Sequence, residues 1–293
     1  MESLKSPKDY IFYAYTREGY VIKGIIDTML NNLTKDATIT FDEHGVHSSC
    51  ADAHSVVLVS FDLLRKNFQN YICEYRFTGN FVLKELHKTV KVVRKKDSIT
   101  MYVRKDQPTK LVLVTSPQIV HDAPTSGIVS SESVIFSLSE PIVHSSIDSY
   151  EYPYTMSSSN FQKVAKKMAS TIKGDNVDLH IQGTTYVRFY CTNGINESMS
   201  EFGTKADTSG ADGAAAMYKG RFYTTMFGNL LKLQALAKEL KIYAPVRNNK
   251  HPVKIEVNAG GLGTLSIYLK SCECIDTEKH PGTHHTAKGK KKL

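Results

Sequence analysis

Apolar positions along the chain switch between a helical period of about 3.6 and a strand period of 2, four times over. Gly19–Leu33 sets Ile22, Ile25, Ile26, Met29 and Leu33 at helical spacing. The following DATITFDEHGVHSSC alternates and turns at Glu43-His44-Gly45. The same order, helix then hairpin, is expected from Phe81–Arg94 into DSITMYVRKDQPTKLVLVT, and from Asn160–Lys173 into DNVDLHIQGTTYVRFYC. It recurs from Thr224–Leu240 into PVKIEVNAGGLGTLSIYL, with a turn at Gly260-Gly261. Alternation such as Ile39/Phe41 and Val177/Leu179/Ile181 fits antiparallel strands with one face buried. Four such units predict an α+β fold of two similar domains, each with two helices packed on antiparallel sheet.

The repeat is interrupted twice. Residues 116–133 have the Pro, Gly and Ser content of an exposed insertion, followed by a β run at Val134–Leu138 and a connector, SEPIVHSSIDSYEYP. Asn193–Gly220 is a second insertion, rich in Gly, Ala, Ser and Asp, and is expected to be mobile. The implied division is residues 1–137, a connector at 138–153, residues 154–275, and a disordered basic tail at 276–293 that carries Lys288, Lys290, Lys291 and Lys292.

Of the 293 residues, 41% are hydrophobic, enough for a substantial core. No apolar run has the length of a membrane span or a signal sequence, so the sequence predicts a soluble intracellular protein. Five scattered cysteines without a CxxC pair read as reduced, mostly buried thiols. Cys272 and Cys274 with His280, His284 and His285 match no common zinc spacing, so neither metal nor cofactor is expected. The net charge of +8 points toward a polyanion, and its placement sharpens this. On the second helix Leu83, Leu86, Val90 and Val93 form one stripe, opposed by Lys84, Lys88, Lys91 and Lys95. On the third, Phe161, Val164, Ala165, Met168 and Ile172 oppose Lys163, Lys166, Lys167 and Lys173. An ordinary solvated helix face mixes signs. These faces carry a single acid, Glu85. Lysine is a flexible point charge suited to phosphate contacts without base readout.

Catalytic patterns are missing: there is no GxxxxGK[ST], GxGxxG, HExxH or GxSxG. Gly260-Gly261-Leu262-Gly263 joins two strands, the place of a hairpin turn rather than of a phosphate cradle. Asp42-Glu43-His44 and His54 near Asp52 lack a neighbouring nucleophile.

FDEHGVHSSCADAHSVVLVSFDL, LKELHKTVKVV, MSSSNFQKVAKKMASTIKGDNVDLHI and PVKIEVNAGGLGTLSIYLKS, in this order, resemble segments of the eukaryotic-type sliding clamp family, proliferating cell nuclear antigen. That resemblance implies a DNA-clamp fold and a homotrimeric ring whose helices line a central hole. It implies hole-lining roles for Lys23, Lys88, Lys91, Lys163, Lys166 and Lys238, and double-stranded DNA as a sequence-independent partner. A DNA polymerase and other replication or repair proteins would dock a short peptide on Ala51, Val56, Leu58, Ile142, Val143, Pro252, Tyr268 and Leu269, and a clamp loader would open the ring. Subunits would join through edge strands carrying Val134, Phe136 and Leu138 on one chain and Val187, Phe189 and Cys191 on the next. Location would be the nucleus, or a viral replication compartment for a viral protein. The chain departs from the family in its basic charge, in Ala51 and Ser55 at the positions of a methionine and a histidine, in Lys270-Ser271 after Tyr-Leu, and in its insertions and tail.

A second reading keeps the fold but has the protein bind DNA directly as a monomer or dimer, without a closed ring, as the positive charge would permit. A nucleic-acid-modifying enzyme is a third, disfavoured by the missing catalytic groups.

Overall fold

The computed structural model of the chain describes all residues except 1–6, 34, 119–128, 142–149, 172–175, 193–194, 206–216, 247–250 and 280–293. Its first half runs β1 (Tyr10–Thr16), α1 (Gly19–Asn32), β2 (Asp36–Phe41), β3 (Gly45–Ala51), β4 (Val57–Leu64), β5 (Asn70–Cys73), β6 (Phe77–Val82), α2 (Leu83–Val90), β7 (Asp97–Arg104), β8 (Gln107–Pro117), β9 (Ser130–Ile135) and β10 (Ser137–Leu138). The second runs β11 (Tyr154–Ser157), α3 (Ser158–Thr171), β12 (Asn176–Gln182), β13 (Tyr186–Thr192), β14 (Glu197–Gly203), β15 (Tyr218–Tyr223), α4 (Thr224–Gly228), a 3₁₀ turn (Leu231–Ala235), β16 (Glu239–Tyr243), β17 (Val253–Ala259), β18 (Gly263–Leu269) and α5 (Cys272–Lys279).

Three antiparallel sheets result, in the orders β5-β1-β7-β8-β9, β10-β6-β2-β3-β4-β18-β17-β16-β11 and β14-β13-β12-β15. The nine-stranded sheet is made by both halves, which meet where β4 pairs with β18 from Val57↔Leu269 to Leu63↔Gly263. Alternate residues of each strand enter the core, such as Val59, Phe61 and Leu63 on β4 and Leu265, Ile267 and Leu269 on β18. The helices cover one side. α1 buries Val21, Ile22, Ile25, Ile26 and Met29 and packs on α2. The 3₁₀ turn touches both α1 and α3, so the helices form a continuous row across the two halves. Gly24 permits the junction, because a Cβ there would come within 2.5 Å of Leu236.

Several elements differ from the sequence reading. The fourth helix is broken after Gly228, and residues 239–243 form β16. Leu230, Leu233 and Leu236, all buried, are spaced three apart, which suits a 3₁₀ turn better than an α-helix. Pairing with β11 on one side and β17 on the other then decides for strand at Leu240 and Ile242. Phe81 belongs to β6, and α2 ends at Val90, so Lys91 is its C-cap and Lys95 lies beyond it. The run Val134–Leu138 is divided by Phe136, which turns inward against Phe77 and Phe81. Strand β14 occupies part of the Asn193–Gly220 insertion, paired along β13 from Thr192↔Glu197 to Tyr186↔Gly203. Helix α5 takes the first residues of the expected tail, and its own Cys274 and Ile275 are buried.

Candidate nucleic-acid interface

The row of helices puts a nearly single-sign charge on one side of the molecule. Lys84 and Lys88 on α2, Lys91 at its C-cap, and Lys163, Lys166 and Lys167 on α3 are exposed, while Leu83, Leu86, Val90, Phe161, Val164 and Met168 are buried beneath them. Lys238 is exposed as well, in the turn before β16 rather than on a helix. Lys232, which the sequence reading missed, extends the basic surface from the 3₁₀ turn. The acid on these faces, Glu85, pairs with Lys88 at 2.7 Å, leaving the other cations to solvent or a ligand.

Lys23 differs. Its ammonium donates to the carbonyl oxygens of Lys91 at 2.7 Å and Val93 at 3.1 Å. Those are carbonyls at the end of α2, which its own hydrogen bonds leave open. Lys23 therefore ties α1 to the end of α2 and is not a free phosphate ligand. Lys173 lies outside the described residues.

On the opposite side, register aligns Ala51, Leu58, Tyr268, Lys254 and Tyr243 in one row across β3, β4, β18, β17 and β16. All five are half-buried. Tyr150 covers one end of this row: its ring centroid lies 6.1 Å from that of Tyr243 and 6.4 Å from that of Tyr268, and its hydroxyl donates to the Pro252 carbonyl at 3.2 Å. Nothing in sequence spacing singled out Tyr150. Beneath it Lys254 pairs with Glu256 at 2.6 Å and lies 4.9 Å from the Tyr243 ring centroid, and the Tyr243 hydroxyl donates to Glu256 at 3.0 Å. Burial and the Glu256 carboxylate push the Tyr243 hydroxyl up to about 12. Burial alone would raise the Glu256 carboxyl, but the Lys254 ammonium and the Tyr243 hydroxyl hold it below the usual carboxylate range. Val56 is half-buried at the rim, and its carbonyl accepts the Lys270 N–H at 3.0 Å. Leu269 is a correction: it follows Tyr268 on the strand, points to the opposite face and is fully buried, so it cannot meet a docked peptide. Ile142 and Val143 lie outside the described residues.

The sheet edges also differ from expectation. β13 is interior, with β12 on one side and β14 on the other, and Val187, Phe189 and Cys191 are buried in the core. The outer strand there is β14, hidden from sequence reading by its Ser- and Glu-rich ESMSEFG composition. In the first half β9 is an edge strand; Val134 and Phe136 turn inward, while Ile135 and Leu138 are exposed.

Residues 11–122 match the family described as proliferating cell nuclear antigen, N-terminal domain. The "Probable DNA polymerase sliding clamp 1" of Paramecium bursaria Chlorella virus 1 is 19% identical over 268 residues, spanning 88% of this chain and 96% of that protein. The proliferating cell nuclear antigen of Chaetomium thermophilum is 21% identical over 263 residues, 87% of this chain and 96% of its own length. The crystal structure of the Entamoeba histolytica protein of that name superposes with a TM-score of 0.72 at 17% identity, covering 89% of this chain and 99% of the other. The first half thus matches the N-terminal domain of proliferating cell nuclear antigen, and the chain shares the fold of that protein along most of its length.

Proposed function

We propose that the protein is a DNA sliding clamp, a non-catalytic processivity factor that encircles duplex DNA and recruits a DNA polymerase and other replication or repair proteins. The observation that carries this reading is the helix row, with exposed lysines from α2 to α3 over a continuous apolar core. A surface of this kind offers sequence-independent, salt-sensitive phosphate contacts, weak enough singly to allow sliding.

Closure is the second part of the proposal. Within the chain the strand β4 of one half pairs with the strand β18 of the other. Their counterparts by element order are β14 and β9, each at the edge of its sheet. Pairing of β9 of one copy with β14 of the next would repeat the internal junction between chains, and three copies would close a ring of six similar domains. Ile135, 75% exposed, and Met199, 52% exposed, lie on these two edges and would be covered. The two domains, residues 1–137 and 154–275, and the connector at 138–153 belong to this reading. Partner peptides would lie along Ala51, Val56, Leu58 and Tyr268 against Tyr150, with an aromatic anchor supplying most of the affinity. A loader would open the ring, and the site of action would be the nucleus or a viral replication compartment.

Encirclement is tested by mass and topology together. The ring predicts a mass of about three times 32.7 kDa in solution, with retention on nicked circular DNA and loss on linearisation. A monomer bound equally to circular and linear DNA would replace this reading with direct binding by an open clamp.

A further inference from the structure

We infer that the turn following α2 is a second phosphate-binding site, a basic rim of Arg17, Arg94, Lys95 and Lys96 at the margin of the helix row, contacting the backbone of duplex DNA beyond the helix faces. The inference rests on the DNA-binding reading above.

Residues 91–96 read KVVRKK, and Lys91, Arg94, Lys95 and Lys96 are all exposed. The backbone carrying them is held from several sides. The Lys23 ammonium binds the Lys91 and Val93 carbonyls, and the Val93 side chain is buried. Arg94 N–H donates to the Asp97 carboxylate at 2.8 Å, and Asp97 N–H returns to the Arg94 carbonyl at 3.1 Å. Gln118 N–H donates to the Lys96 carbonyl at 3.1 Å, and the Gln118 side-chain amide donates to the Arg17 carbonyl at 2.5 Å, which brings Arg17 into the same surface. Gly19 completes the packing: a Cβ there would stand 2.8 Å from the Asp97 carbonyl oxygen, so the start of α1 is pressed against the turn.

The carboxylates beside this cluster are already engaged. Asp97 serves the Arg94 N–H, and Glu18 accepts the Gly261 N–H at 2.8 Å across the molecule. Among the described residues, none of Arg17, Arg94, Lys95 and Lys96 forms an ion pair. A fixed backbone that presents four cations without an ion pair among the described residues lowers the ordering cost of binding a polyanion, and the two arginines add forked donors that fit phosphate. The geometry also moves Lys95 off the α2 stripe, where helical spacing had put it, and into the rim. A merely solvated turn would leave DNA binding indifferent to these side chains.

The test uses the full chain and a 30-base-pair duplex of arbitrary sequence, with the association constant measured against NaCl concentration. Arg94→Gln, Lys95→Gln, Lys96→Gln together should lower the log–log salt slope by about 2 to 3, since each phosphate contact contributes about 0.9. The charge-preserving triple Arg94→Lys, Lys95→Arg, Lys96→Arg should keep the wild-type slope, and both should melt at the wild-type temperature. A slope unchanged in the Gln triple would overturn the rim. Glu substitution of Lys88, Lys91, Lys163 and Lys166 separates the two readings: if that variant binds normally while the Gln triple does not, the helix-face reading fails and the rim stands.

Discussion

Lys23 and Lys88 carry the same charge on neighbouring helices, yet their surroundings give them opposite duties. Lys88 points to solvent, with only Glu85 beside it. Lys23 spends its donors on the two carbonyls at the end of α2. Lys23→Met keeps the aliphatic stem and removes the donors; it should destabilise the fold by about 1–2 kcal/mol and leave the DNA salt slope unchanged. Lys88→Glu should do the reverse, weakening DNA binding while the melting temperature stays put; equal melting temperatures for both variants would remove the distinction. Glu256 offers a pH test beside the half-buried row that Tyr150 caps. Its carboxyl is held below the usual range, so the folded state releases this proton more readily than the unfolded chain does. That contribution to stability is complete above the unfolded pKa of about 4.3 and is lost as pH falls through the lower folded value. Glu256→Gln should therefore flatten the acid limb of the denaturation midpoint below about pH 5. A variant whose acid limb matches wild type would show that Lys254 and Tyr243 do not stabilise the carboxylate.

Among the elements, α5 alters a functional expectation by where it packs. It packs on β15, the outer strand of its sheet, and Glu273 accepts the Arg221 N–H of that strand at 3.3 Å. Lys270, just before the helix, pairs at 2.8 Å with Glu278 in its last turn. A helix laid along an edge strand blocks it from pairing with another chain. Residues 276–279 are thus part of a packed helix rather than of a solvated tail. Truncation before His280 should leave thermal stability unchanged. Truncation before Cys272 removes buried Cys274 and Ile275 and should cost about 2–4 kcal/mol. Equal melting temperatures for the two truncations would mean that α5 contributes no packing.

At the scale of the whole molecule, the exposed side chains on β9 and β14 give the ring proposal its most direct test. Ile135→Lys with Met199→Lys puts two charges where the proposed junction would bury apolar surface. The expected result is a fall in solution mass from about three times 32.7 kDa to the single-chain value, with an unchanged circular dichroism spectrum. Retention on nicked circles should disappear, while weak binding to linear duplex persists. A double variant that stays trimeric would place the subunit junction elsewhere.

Local periodicity determined much of this molecule. Opposed apolar and lysine stripes on α2 and α3, and the alternation of β2 and β12, are properties of neighbouring residues on one element, so the chain displays them without its partners. Among the described residues, the exposed lysines of α2 and α3 could therefore be read directly; Lys95, displaced by the end of α2, Lys238, displaced to the turn before β16, and Lys23, whose acceptors lie 68 and 70 positions away, could not. Tertiary structure decided the rest. The segment 239–243 is a strand because β11 and β17 flank it, against its own helical spacing. β14 exists because β13 offers it a ladder of hydrogen bonds, and its own side chains give little sign of it. The half-buried row of Ala51, Leu58, Tyr268, Lys254 and Tyr243 is joined through strand register alone, and the same register turns Leu269 away from it. Long-range pairing of this kind depends on which strands meet, and that is set by the burial of the whole core rather than by any one segment.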